Sequence, residues 1–374
     1  MSVGYFNCFS SSFFKQLYIS QNSTGNIVFS GISFYVLMGA IQYGLQGRSY
    51  NQLSAILLND FDKLDDPKLW STSRTAIILN KIRYISESFL NVRSLLFYSC
   101  DLNDHFEQVS SLIFKLSAFK IDNSTEIQTA HGIHEWMLET DYRSFVNHFN
   151  ESNLSEGKLL YINEFTFHAD WKINFDPRFT KLEDFFDEYG KPIQVEMMSQ
   201  KSYNLIFYSN DYNFKILFKE LRYENLYSAI VLPRKGHNIL NVLKKIKIDQ
   251  IRAYFQKSQL KYTKLKLPKF KISGHIDVAR TLKQFGITDI FDKNKSDFGR
   301  MTNQTVFVGN LIHVSNLIID DLDSTEAATT RAKDDQSMEN PFRFYVKKPF
   351  LFLVYYETMN IVILSAVVTN PAAT

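Results

Sequence analysis

Asn163-Glu164-Phe165-Thr166-Phe167-His168-Ala169-Asp170-Trp171, followed by Phe175-Asp176-Pro177 and Thr180, marks an abrupt change in the chain. It begins inside Leu159 to Phe167, an apolar run of strand length, and ends in a polar stretch broken by a proline. On its C-terminal side strand-like runs dominate: Tyr203 to Tyr208, Tyr227 to Leu232, Tyr262 to Ile272, Thr305 to Ile319 and Phe350 to Tyr356. A helix over Val278 to Phe285 is stopped there by Gly286. On the N-terminal side the periodicity is helical. Phe6, Phe9, Phe13 and Leu17 recur at helical spacing, and Leu37 to Gly47 reads as a buried helix that closes on a glycine. Asp122 to Glu139 ends in an amphipathic helix carrying Ile133, Trp136 and Met137. Helices first and strands after predict an α+β arrangement. Two stretches interrupt it, Asp170 to Asp187 and the polar segment Asp320 to Asn340. Long exposed segments inside a compact chain are usually functional loops.

The chain has 374 residues, 45% hydrophobic and 22% charged, a composition that excludes disordered, collagen-like and disulfide-scaffold classes. A net charge of +3 gives no global attraction to nucleic acid or an anionic membrane. Met1 to Cys8 lacks the basic start and apolar run of a signal peptide, and no stretch approaches the ~20 apolar residues of a membrane span. Cys8 and Cys100 are too few for a zinc site and suit a reducing compartment. The sequons at Asn22, Asn123, Asn150, Asn153, Asn294 and Asn303 read as chance in an Asn-rich chain.

Enzyme motifs are missing. There is no Gly-x-Ser-x-Gly elbow and no Gly-x-x-x-x-Gly-Lys phosphate loop, and His134-Glu135 has no second histidine at zinc-binding spacing. No catalytic residue, cofactor or metal is therefore assigned. Lys261, Lys264, Lys266, Lys269 and Lys271 alternate with Tyr262, Leu265, Leu267 and Phe270. That pattern reads as a strand with one solvated lysine face, and a weak polyanion site is the competing reading.

Taken together, the motifs resemble the serpin superfamily almost end to end. Asn26-Ile27-Val28-Phe29-Ser30-Gly31-Ile32-Ser33 is similar to the family's strand and helix start, usually Phe-Ser-Pro-x-Ser. The Asn163 to Thr180 segment is similar to its Asn…Phe-Lys-Gly-x-Trp…Phe-Asp…Thr signature. Val195-Glu196-Met197-Met198, Ala229 to Pro233, Leu267 to Ile272, Leu282 to Phe291, Lys348 to Leu353 and Asn370-Pro371 follow in the family's order.

The resemblance implies a single serpin domain over residues 1–374. Helices would pack on a large central β-sheet beside a smaller β-barrel, with an exposed reactive-centre loop at about residues 324–347. It implies a protease inhibitor rather than an enzyme. A suicide substrate of this kind is cleaved in the loop and inserts it into the sheet, trapping a serine or cysteine protease. Ser324-Thr325-Glu326-Ala327-Ala328-Thr329-Thr330 is similar to the family's hinge, and the same gapless alignment puts the cleaved bond at Met338-Glu339. Met338 would fill an apolar specificity pocket of elastase or chymotrypsin type. Ser30, Ser33, Asn163 and His313 match the polar shutter beneath the opening strands, and Trp171 matches the aromatic at the sheet top.

The chain also departs from the pattern. Ser324 replaces the hinge glycine, one residue is inserted after Asp320, Gly31 replaces a proline and is expected to loosen its turn, and Ala366 replaces a glycine. If Thr325 and Ala327 face inward, period two carries Thr329, Arg331, Lys333 and Asp335 to the same side, whereas a one-residue shift buries Glu326 instead. The alternative is thus a non-inhibitory binding or decoy protein whose charged loop cannot fully insert. The missing leader, the immediate helix and the abundance of Phe, Tyr, Lys, Asn and Ile resemble a divergent poxviral member of the intracellular, ovalbumin-like branch. Such a member is expected to be cytoplasmic and monomeric, to block host defence proteases, and to bind neither nucleic acid nor membrane.

Overall fold

The computed structural model describes residues 3–57, 64, 66, 70–121, 157–321 and 340–373. The expected helix at Asp122 to Glu139, the His134-Glu135 pair, the hinge from Ser324 to Thr330 and the Met338-Glu339 bond lie outside them.

Fourteen strands are described: β1 (Ile27–Phe29), β2 (Asn91–Tyr98), β3 (Leu116–Lys120), β4 (Lys158–His168), β5 (Lys181–Phe186), β6 (Pro192–Tyr208), β7 (Phe214–Glu220), β8 (Leu226–Pro233), β9 (Gln259–Pro268), β10 (Phe270–Asp277), β11 (Phe307–Ile319), β12 (Phe342–Tyr345), β13 (Phe350–Tyr356) and β14 (Ile361–Val368). They form a five-stranded sheet in the order β10-β11-β4-β2-β3, and a nine-stranded sheet β1-β14-β13-β8-β7-β6-β9-β12 with β5 on β6. With the helices Val3–Ser20, Gly31–Tyr43, Gly47–Leu57, Arg74–Phe89 and Asp104–Phe114 this is the α+β fold the sequence predicts.

The chain divides into two compact units. Unit one holds residues 33–165 and 275–314, with helices and the strands β2 and β3. Its core includes Tyr43 stacked on Phe106 at 5.8 Å, and Arg48 is paired with the buried Asp289 at 3.0 Å. Unit two holds residues 2–32, 166–274 and 315–374, and with them the nine-stranded sheet. Its centre is the β13–β14 pair, where every side chain of β14 is buried, as a continuous apolar run requires. Strands β4 and β11 run from one unit into the other along the chain.

Several expected elements hold. The N-terminal helix buries Phe6, Phe9, Phe13 and Leu17, and a helix at Ala279–Gln284 ends on Gly286. Gly286 takes φ +81 while its N–H and that of Ile287 bond back to Lys283 and Leu282, a glycine-terminated last turn.

Others need correction. The helix expected over Leu37 to Gly47 spans Gly31–Tyr43, and Gly47, at φ +53, opens the next helix instead of closing this one. All of Gly31–Tyr43 is buried, so no polar face marks its ends. Tyr262 to Ile272 is two strands, broken at Lys269 where the chain leaves one sheet for the other. Asp170 to Asp187 is not one open loop: it contains a short 3₁₀ turn at Pro177–Phe179 and the edge strand β5. Only Phe185 of β5 is buried, so its apolar signal is faint.

Gly31 has a packing role. A Cβ at this position would lie 1.9 Å from Ser10 Oγ, 2.5 Å from Ser10 Cβ and 3.2 Å from Ser10 Cα, so the glycine lets the N-terminal helix approach closely. Gly31→Ala is expected to cost about 1–3 kcal/mol through overpacking, read as a lower denaturation midpoint, and Ser10→Gly in the same chain to restore part of it.

Candidate functional site at the ends of β4 and β11

Strands β4 and β11 are neighbours in the five-stranded sheet. At their starts the Phe307 N–H donates to the Gly157 carbonyl at 2.9 Å; at their ends the Ala169 N–H donates to the Ile318 carbonyl at 3.0 Å. Start beside start and end beside end makes the pair parallel and joined at both extremities.

Just past these ends, in unit two, a set of side chains clasps the point where β11 gives way to the segment from residue 322. The Trp171 indole N–H donates to the Asp320 carbonyl at 3.0 Å, and His168 Nε2 lies 2.9 Å from Asp320 Oδ1. Thr180 Oγ1 donates to Asp321 Oδ2 at 2.7 Å, and Lys269 Nζ pairs with Asp321 Oδ1 at 2.8 Å. Asp321 is buried, and the ion pair with Lys269 together with the hydrogen bond from Thr180 offsets the cost of burying a carboxylate. The two consecutive acids Asp320 and Asp321 thus have separate partners.

Trp171 is itself buried at 2% exposure, with Phe175 edge-on at 5.6 Å. Over both rings stands Lys219 of β7, its Nζ 5.3 Å from the Trp171 centroid and 5.0 Å from that of Phe175. The ammonium donates to Gln200 Oε1 at 2.6 Å and the Ile173 carbonyl at 2.9 Å, and no carboxylate pairs with it among the described residues. Burial pushes its pKa down to about 7, against a smaller upward pull from Glu220. In the unfolded chain a lysine titrates near 10.4. The folded state therefore binds fewer protons between those values, and its stability rises with pH through that window. Lys219→Met is expected to melt above the parent at pH 6.5, with the gap closing by about pH 9.5; a gap independent of pH would mean that the folded state leaves the amine at its unfolded pKa.

In unit one a second polar group sits in the core. Asn163 of β4 accepts at Oδ1 from Ser33 Oγ at 3.1 Å and from His313 Nδ1 at 3.0 Å, and its Nδ2 donates to Ser94 Oγ at 3.1 Å. All four side chains are buried. Burial holds the His313 pKa down to about 3, so the ring is neutral and its proton sits on Nδ1 to serve Asn163. The structure thus brings together Ser33, Asn163 and His313 and adds Ser94, for which the sequence carried no signal. Ser30 Oγ donates to the Ile363 carbonyl of β14 at 3.0 Å.

The basic run is less open than its spacing implies. Lys266 is bonded to Glu183, which also pairs with Lys347 at 2.8 Å, and Lys269 is held by Asp321. Both cysteines are free thiols, Cys8 exposed and Cys100 buried. No group of side chains able to hold a metal, and no helix long and apolar enough to cross a membrane, occurs among the described residues.

A family profile described as "Serpin (serine protease inhibitor)" matches residues 5–371. The chain belongs to the serpin family. Glia-derived nexin of Rattus norvegicus is 24% identical to this serpin over 375 residues, covering 96% of this chain and 90% of the relative. Protein Z-dependent protease inhibitor of Mus musculus is 24% identical over 362 residues, covering 94% and 79%. Among solved structures, native protease nexin-1 with heparin superposes with a TM-score of 0.83 at 20% identity, covering 99% of this serpin and all of that chain. Human thyroxine-binding globulin superposes with a TM-score of 0.80 at 18% identity, covering 99% and 98%. Relatives of this serpin thus include a named protease inhibitor, and its fold is theirs.

Proposed function

We propose that this serpin is a suicide-substrate inhibitor of a serine or cysteine protease. The enzyme cuts Met338-Glu339, and residues 325–338 then enter the sheet between β4 and β11. The observation that carries this reading is the parallel β4–β11 pair. A strand that follows β11 and turns back runs antiparallel to both neighbours, so one parallel pairing is exchanged for two antiparallel ones, which are slightly stronger per residue. Residues 325–338 are long enough to run beside the thirteen residues of β11. Capture of a chymotrypsin- or elastase-type enzyme in a complex that survives boiling in detergent tests the reading; a loop cut without any captured enzyme overturns it.

The observation favouring a decoy or binding protein lies in the same strands. Leu159 to Phe165 of β4 are buried without a break, so both faces are covered there. Shifting the insertion register by one residue therefore gives Arg331 and Lys333 no exposed side to turn to. Arg331→Ala with Lys333→Ala is expected to raise the captured fraction at the expense of the merely cut fraction.

We place weak polyanion binding third; the lysines of β9 support it, and a relative's structure carries heparin in its title. The residue bias supports a poxviral descent, and with it we propose an ovalbumin-like, cytoplasmic, monomeric protein acting on host defence proteases. Fractionation of producing cells checks the compartment.

A further inference from the structure

Strands β6, β9 and β12 lie side by side in unit two, and their register lines up three cations. Lys201 is opposite Lys264, and Lys264 is opposite Arg343. Alternation puts all three on the outward face, where Lys201 and Arg343 are exposed and Lys264 half-buried, while Ser202, Thr263 and Phe344 beside them point inward. Adjacent strands are about 4.8 Å apart, so the row packs three positive charges into roughly 10 Å. Like charges directly opposite one another destabilise a sheet. Nothing offsets them here: no carboxylate pairs with Lys201, Lys264 or Arg343 among the described residues, and Glu183, which serves Lys266 further along β9, is already shared with Lys347. Tyrosines border the row. Tyr203 and Tyr262 meet at 5.3 Å on one side, and Tyr345 lies under Lys266 at 5.4 Å on the other. Exposed Tyr and Arg around charges unmatched among the described residues are what a protein–protein contact uses.

The position of the row indicates the partner. Arg343 follows Glu339 by four residues, so it lies no more than ~14 Å along the chain from the bond read as the bait. A protease closed on Met338-Glu339 brings the rim of its cleft over this face. We propose that Lys201, Lys264 and Arg343 form a docking surface for an acidic patch on the rim of the attacking protease, on the side of the leaving peptide. This rests on the reading of Met338-Glu339 as the cleaved bond. The row acts in the encounter by raising the association rate, and it selects between enzymes that share a specificity pocket but differ in surface charge.

The test uses the intact chain with an anionic and a cationic form of chymotrypsin, each followed for consumption of intact inhibitor at low and high salt. Consumption includes both cut and captured chain, so the result does not depend on whether capture succeeds; the detergent-stable band reads that separately. At 50 mM salt the anionic enzyme is expected to react about ten-fold faster than the cationic one. The preference should fall to about two-fold or less in Lys201→Glu/Lys264→Glu/Arg343→Glu and in the parent at 0.5 M salt. Lys264→Gln alone removes the middle charge and with it cross-strand repulsion; it should reduce the preference without lowering the melting midpoint, which separates docking from misfolding. An unchanged preference in both variants, or no cleavage at Met338-Glu339 by either enzyme, overturns the proposal. A cut loop with no detergent-stable band overturns the trapping mechanism and leaves the docking surface standing.

Discussion

Cutting Met338-Glu339 in the intact molecule is expected to raise the thermal midpoint by on the order of 10 °C or more. The reason is the unfinished state of the five-stranded sheet. Before the cut, β4 and β11 satisfy each other through parallel bonds, and the loop can follow β11 back into the sheet only if β12, into which its far end continues, comes away from β9. After the cut that tether is gone, and each residue that enters adds bonds to both neighbours. On the proposed mechanism the native form is held by a barrier rather than by being the lowest state. A midpoint that stays within a degree or two after a complete cut would leave the decoy reading in possession, with Arg331 and Lys333 as the cause. Melting the parent and the Arg331→Ala/Lys333→Ala chain before and after the cut separates a missing slot from an obstructed one.

The second large effect is expected at Trp171. Trp171→Ala removes a buried indole, leaves the Asp320 carbonyl without that donor and uncovers Lys219, so a loss of about 3–5 kcal/mol follows from truncation alone. A simple packing role predicts nothing further. The clasp predicts more: with the ends of β4 and β11 released, the loop should enter without being cut. On storage at 37 °C the variant would then accumulate an uncut form that resists heat and no longer reacts with enzyme. Trp171→Phe keeps the ring but not the N–H donor, so the uncut form should build up at an intermediate rate. Denaturation curves together with the reactive fraction over several days check both parts.

Much of the architecture was legible because it is written in continuous apolar runs. Phe350 to Tyr356 and Thr305 to Ile319 can only be buried strands, and Phe6 to Leu17 keeps one face apolar through a whole helix. Runs fail where burial is total or slight: Gly31–Tyr43 has no polar face to define its ends, and β5 has a single buried side chain. Ser33, Asn163 and His313 were legible only through motif likeness, since one buried polar residue looks like any other until its partners are known. Lys219 and Asp321 were illegible for a related reason. A lysine in Phe-Lys-Ile-Leu-Phe-Lys-Glu reads as a solvated position, and only the rings of Trp171 and Phe175, brought from fifty residues away, make it a buried one. The cross-strand row of Lys201, Lys264 and Arg343 likewise exists only in the register.

The pairing of the last three strands has a practical outcome. The piece released by cutting after Met338 carries β12, β13 and β14, which pair with β9, β8 and β1, the last two through ladders buried in the interior. It does not diffuse away. Size-exclusion chromatography and native gels will score clipped and unclipped molecules alike, and only denaturing electrophoresis or intact-mass measurement will reveal how much of a preparation has already been spent.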